Sequence, residues 1–161
     1  MNVKVEVLGA GVMEELAVDM ERAERVIQNA LTGTAQDIQV DFQTTTQTWR
    51  RRPGFAVREE GQYSRIIGTE DEIYGYVNYG TGPHLIRPVN ARRLAFPANY
   101  QAKTSPGNIG SSGGGSSGPT VYANAVMHPG TAARKFDEAI ADKWEKLWPA
   151  ILERALLAEL E

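Results

Sequence analysis

The chain has 161 residues, a net charge of −3, no cysteine and two histidines. That length suits one domain, spanning 1–161, able to bury a core without covalent staples. The lack of cysteine excludes a disulfide framework, a thiol nucleophile, a Cys-based zinc site and an iron–sulfur cluster.

Hydrophobic residues make up 42% and charged residues 23%, the balance of a folded soluble protein rather than a disordered one. No apolar run approaches the roughly 20 residues that span a bilayer. Met1-Asn2-Val3-Lys4 lacks the apolar core of a signal peptide. A cytosolic protein without a membrane partner is the expectation. The charge is unevenly laid out along the chain. Residues 1–48 carry −5, residues 49–103 carry +4, residues 104–128 carry no Lys, Arg, Asp or Glu, and residues 129–161 carry −2. A basic middle between acidic ends can complement a second copy or meet a charged partner.

Val3, Val5 and Val7 alternate with Lys4 and Glu6, the period of a half-buried strand. Gly9 and Gly11 end it. Met13, Leu16, Met20, Ala23, Ile27, Ala30 and Leu31 then recur at steps of three and four, which predicts an amphipathic helix. Glu14 and Glu15 suit the positive end of its dipole. Ile38 and Phe42 continue the stripe past Gly33, so the helix either breaks near Gly33 or projects.

Pro53-Gly54 punctuates the chain. Strands are expected at Phe55–Glu59, Tyr63–Gly68 and Ile73–Tyr79, the last on its bulky aromatics, with Gly75 marking a bulge or a close backbone approach. Gly80-Thr81-Gly82-Pro83 reads as a loop, and Pro88 and Pro97 bracket a short strand at Leu94-Ala95-Phe96. A Gly/Ser-rich stretch within 104–119 reads as a long flexible loop inserted in the domain. A strand at Val121–Met127 follows, then the turn His128-Pro129-Gly130. Phe136, Ile140, Trp144, Leu147, Ile151, Ala155 and Leu156 predict a C-terminal helix, kinked or restarted at Pro149. The class is α+β: a mainly antiparallel sheet of about four to five strands packed on a long N-terminal and a C-terminal helix.

Catalytic chemistry finds little material. His84 and His128 both sit at turns, but neither has the spacing of a metal site or a paired carboxylate beside it. Hydrogen bonding to turn backbone is the simpler role for both. A histidine-dependent hydrolase therefore ranks behind other readings. Gly9-Ala10-Gly11 lacks the third glycine of a dinucleotide fingerprint, because position 14 is Glu. No catalytic, cofactor-binding or metal-ligating residue is assigned. Trp49-Arg50-Arg51-Arg52, with Arg58, Arg87, Arg92 and Arg93, could hold nucleic acid. The sequence pI near 5.5 and the acidic first helix weigh against a dedicated nucleic-acid binder, and Trp and Arg are equally enriched at protein interfaces.

Several stretches together resemble a known family. They are Thr48-Trp49-Arg50-Arg51-Arg52-Pro53-Gly54-Phe55, the run Asp71 to Pro88 containing Tyr79-Gly80-Thr81-Gly82-Pro83-His84, Leu94-Ala95-Phe96, and His128-Pro129-Gly130-Thr131 before Phe136. In order and spacing, over nearly the whole length, they are similar to the small tail-component or head–tail joining proteins of long-tailed double-stranded DNA bacteriophages. Many members carry Thr-Gly-x-Leu after the first helix, where Trp-Arg-Arg-Arg-Pro stands here. The resemblance implies a non-enzymatic virion protein of the neck or tail, assembled in the bacterial host cytoplasm and needing no cofactor. It implies a homo-oligomeric ring, commonly sixfold in related tail-completion proteins, joining the head connector or head-closure protein to the tail tube or tail terminator protein. Contact with genomic DNA in the lumen is a further expected partner, and no membrane is involved. Trp49, Arg50, Arg51, Arg52, Gly80, Thr81, Pro83, His84, Pro88, Leu94, Phe96, His128, Pro129 and Gly130 carry over as interface or scaffold positions, and the 104–119 loop as a segment ordered against a neighbouring ring. The alternative from another class is a DNA-binding accessory protein using Arg50–Arg52 and Arg92–Arg93.

Overall fold

Two long helices dictate where everything else can sit. The computed structural model describes residues 2–6, 20–111 and 113–159. The readings of Val7, Gly9–Gly11, Met13, Glu14, Glu15 and Leu16 lie outside the described residues. Helix α1 (Met20–Thr46) buries Ala23, Ile27, Leu31, Thr34, Ala35, Ile38, Phe42, Thr45 and Thr46. Those positions follow the helical repeat over about 40 Å at 1.5 Å per residue. Gly33 therefore does not break the helix, because burial on both sides of it outweighs its weak helix propensity. Thr45 and Thr46 close the last turn by donating hydroxyls to Asp41 O (2.8 Å) and Phe42 O (3.2 Å).

Strands β1 (Asn2–Glu6), β2 (Ala56–Glu59) and β3 (Ser64–Gly68) form an antiparallel sheet in the order β1-β3-β2. Val57 pairs with Ile67, and both face the core, Ile67 fully buried. Pairing at Arg58↔Ile66 and Ala56↔Gly68 puts those residues on the opposite face, since side chains alternate along a strand.

The segment expected as a strand at Ile73–Tyr79 is helix α2 (Glu72–Tyr79). Asp71 holds extended backbone (φ −73°, ψ 112°) and its carboxylate accepts from Tyr74 N at 3.1 Å, a side-chain N-cap. Tyr74 and Asn78, four residues apart and both fully buried, then share its inner face. A cap and two buried anchors override the β preference of the aromatics, which is context-dependent. Gly75 marks neither a bulge nor a close approach: a Cβ there would meet nothing within 4 Å.

Four further strands follow: β4 (His84–Ile86), β5 (Leu94–Tyr100), β6 (Ser116–Ala123) and β7 (Val126–His128). The expected strand Val121–Met127 is thus two strands, and Leu94–Phe96 extends through Pro97. The lack of an N–H at Pro97 is tolerated because β5 has a partner on one side only. Instead of one sheet of four to five strands there is a three-stranded sheet and two separate two-stranded pairings, β4-β7 and β5-β6. The class remains α+β.

Helix α3 (Phe136–Ala158) runs as one element through Pro149, with no restart there. Its Phe136 and Ile140 join Ala35, Ile38, Phe42, Phe55, Ile67 and Tyr74 in the core. Tyr74 is the hub, its ring centroid 5.1 Å from Phe55, 6.1 Å from Phe42 and Phe136, and 6.2 Å from Trp49. Asp41 fastens α1 to α3 by accepting from Lys143 Nζ (2.6 Å) and Trp144 Nε1 (2.7 Å) with the same oxygen.

Candidate functional site

Helix α3 begins without a cap of its own. Lys135, at its N-cap position, sits in the left-handed region (φ 54°, ψ 44°) and makes no side-chain cap bond; among the described residues it is the one non-glycine with positive φ. Asn78 of α2 supplies the cap from outside. Its Oδ1 accepts from Phe136 N (2.8 Å) and Asp137 N (3.4 Å), its Nδ2 donates to Asp137 Oδ1 (2.8 Å), and its carbonyl accepts from Arg134 N and Lys135 N. The orphan amides of one helix are thereby satisfied by the last turn of another.

That junction sets the two glycine turns side by side. Thr81 and Thr131 bridge through both backbones (Thr81 N to Thr131 O 2.9 Å, Thr131 N to Thr81 O 3.1 Å). A Cβ on Gly80 (φ 78°) would lie 2.6 Å from Thr131 O, and one on Gly130 (φ 95°) 2.2 Å from Thr81 O. Only glycine fits at either place. Pro83 and Pro129 flank the clasp and are exposed.

Directly beyond it His84 pairs with His128 across β4 and β7, ring centroids 5.0 Å apart. His84 Nδ1 lies 3.0 Å from Gly82 O, and His128 Nδ1 accepts from Gly130 N at 3.1 Å. Both imidazoles thus bind turn backbone. The bond from Gly130 N uses the Nδ1 lone pair of His128. Among the described residues no group of three or more His, Asp or Glu could hold a metal ion, and no helix is long and apolar enough to cross a membrane.

Beyond the histidines the strands form one antiparallel ribbon with two legs. Ile86 pairs with Val126 and Leu94 with Ala123, so 87–93 opposes only 124–125. Seven residues against two force the longer strand to loop out as Arg87-Pro88-Val89-Asn90-Ala91-Arg92-Arg93. The far end of the ribbon returns to the body. Lys103 Nζ donates to Thr48 O (3.1 Å), Gly107 N donates to Arg134 O (2.8 Å), Thr104 is buried, and Ile109 packs on the core. The Gly/Ser stretch is therefore not loop throughout. Its first part is seated on this chain's own core, and Ser116–Pro119 belongs to β6. The second leg has an irregularity of its own, a register shift between Pro97 and Asn99, and the chain beyond it comes back to Arg134.

The ribbon buries almost nothing. Among the described residues from 81 to 135, only Thr104 is buried. Leu94, Phe96 and Pro88 are half-buried, while Leu85, Val89, Tyr100, Tyr122 and Met127 are exposed, Val89 at 92%. Leu85 faces Met127 across the first leg. The charge is as lopsided as the exposure. Between Ile73 and Phe136 stand six Lys or Arg and no Asp or Glu, giving +6; the rest of the chain, with eleven basic against twenty acidic residues, carries −9.

The remaining expected site residues divide. Trp49 is half-buried against Tyr74. Arg51 pairs with Asp71 (3.5 Å), and Arg50 and Arg52 are exposed. Gly80, Thr81, His84, His128, Pro129 and Gly130 are brought together; Trp49 and Arg50–Arg52 lie apart from them, at the end of α1. Asn78 and Asp137 escaped the sequence reading because their roles depend on two segments 59 residues apart. A cleft of about 380 Å³ opens on the outer sheet face between Gly54, Ala56, Arg58, Ile66, Gly68, Thr69 and Glu70. Arg58 and Glu70 neutralise each other within it (3.3 Å). Compared with protein-family models, curated proteins and solved structures, the chain matches none.

Proposed function

We propose that this chain is a structural joining protein of a bacteriophage neck or tail, working by assembly rather than by catalysis. The observation that carries the reading is the segment from 81 to 135, which pairs its strands yet buries one residue among those described. A two-stranded ribbon is marginal in water by itself, and its apolar side chains gain burial only against another surface. The clasp at Gly80, Thr81 and Gly130 supports the same reading, because it ties the base of the ribbon between the end of α2 and the start of α3. Two of the stretches that carry the family resemblance, Tyr79–His84 and His128–Thr131, contribute to that positioning. Head-to-tail contacts between such subunits close into a ring when the rotation allows.

Negative-stain imaging of the purified chain, mixed with its head connector or with its tail tube, tests this. Rings seated on either assembly support it; a chain that stays monomeric and binds neither overturns it.

A further inference from the structure

We infer that the looped-out segment Arg87–Arg93, with the exposed face of the ribbon beside it, docks on the solvent face of helix α3 of a second copy of this chain. The inference rests on the assembly reading and names its surfaces.

Arg87, Arg92 and Arg93 are exposed and form no ion pair or hydrogen bond among the described residues. The acid-free stretch around them leaves no carboxylate nearby in sequence to neutralise them. On α3, Glu138, Asp142, Glu145 and Glu153 are all exposed. Steps of four, three and eight place them within one strip of the helix, opposite Phe136, Ile140 and Trp144, which face the core. Glu138 is engaged by Lys135 (2.9 Å); Asp142, Glu145 and Glu153 have no partner among the described residues. Pro149 and Leu157 lie exposed along the same side, offering apolar area to Val89, Leu85 and Met127. Lys146, exposed at the edge of the same strip, leaves it net acidic, so opposite charges and bare apolar surface occur on two different parts of one molecule.

Two different patches of one molecule that fit each other make a heterologous contact, which propagates head to tail. Its opposed charges also steer encounter and register. Nucleic acid would engage the arginines equally well but would leave the α3 strip unpartnered, so a second copy is the occupant that uses both surfaces.

Charge reversal tests this on the full chain. Two variants are made, R87E/R92E/R93E and D142K/E145K, together with the chain carrying both sets. All substitutions lie at exposed positions, and circular dichroism checks that each chain folds. Sedimentation velocity at low salt is expected to show self-association of the unmodified chain, weakened about tenfold or more in either variant. It is expected to be restored when the two variants are mixed, or when both sets sit in one chain. Raising salt toward 1 M should weaken the unmodified chain in the same way. If the unmodified chain associates and the reversals change nothing, this interface is wrong while the joining role stands. If it remains a monomer at low salt, the inference is overturned, and the joining role is judged separately by connector or tail-tube binding. If R87E/R92E/R93E loses retention on duplex DNA without altering self-association, the arginines serve nucleic acid and the inference is likewise overturned.

Discussion

Asn78 Oδ1 accepts the amide of Phe136 at 2.8 Å, so the start of α3 is written in the last turn of α2. The carboxamide is fully buried and also donates to Asp137 at 2.8 Å. It satisfies amides that Lys135, in its left-handed conformation, leaves uncapped. The contact joins the end of α2 to the start of α3 beside the Thr81–Thr131 bridge.

Asn78→Ala should therefore cost about 2–4 kcal/mol, the sum of a lost cap and a lost bond to a carboxylate. Urea unfolding reads it as a lower midpoint. Asn78→Asp should be worse at neutral pH, since it sets a second carboxylate against Asp137, and should recover partly in acid as the pair takes up a proton.

Two glycines should respond in opposite directions. Gly75 lies within α2 with open space where a Cβ would go, so Gly75→Ala should stabilise by about 0.5–1 kcal/mol. Gly80→Ala would drive its Cβ into Thr131 O and Ala133 N from a positive φ, at a cost above about 2 kcal/mol. Thermal melts of the two variants bracket the parent.

Tyr74 should make the protein alkali-sensitive. Burial, reinforced by the Asp137 carboxylate and by Tyr79, pushes its phenol far above the ordinary value of 10.0. Unfolded, it would release its proton near pH 10. The folded chain then holds one proton more than the unfolded chain above that pH, so its stability is complete below about pH 10 and falls as pH rises further. Tyr74→Phe should flatten that fall. It also removes a buried hydroxyl without a hydrogen-bond partner, so it should leave stability at pH 7 unchanged or slightly raised. Denaturant midpoints of both chains across pH 8 to about 11 measure the difference.

Asp41→Ala should loosen the helix pair. It strips both donors, Lys143 and Trp144 Nε1, of their shared acceptor, and the half-buried indole N–H is left unpaired for about 1–3 kcal/mol. Indole fluorescence should shift red before global unfolding.

How legible this was in the sequence depends on how local each cause is. The α3 stripe and the part of the α1 stripe from Met20 onward follow from helical periodicity, and the strands at 56–59 and 64–68, bounded by Pro53-Gly54 and Glu60-Gly61, lie within a residue of expectation. Helix α2 did not, because Tyr74, Tyr76 and Tyr79 read as strand. The signal against that was Asp71-Glu72, an N-cap followed by an acidic first turn. The ribbon's two legs were invisible because a seven-against-two mismatch appears only once the strands are paired. Gly80, Thr81, His84, His128 and Gly130 were singled out by motif, and they do meet in space. Their chemistry there is backbone bonding, and the determinant of their geometry, Asn78, carries no sequence mark beyond being an asparagine near a helix end.

The proposal that the exposed ribbon is an assembly surface is tested most directly by hydrogen exchange of the chain, alone and mixed with the head connector or tail tube proposed as its partner. Exchange across β4, β5, β6, β7 and the 87–93 segment should slow on assembly, with the core amides of Ile38 and Ile140 unchanged. Equal exchange of the ribbon in the free and assembled protein would contradict it.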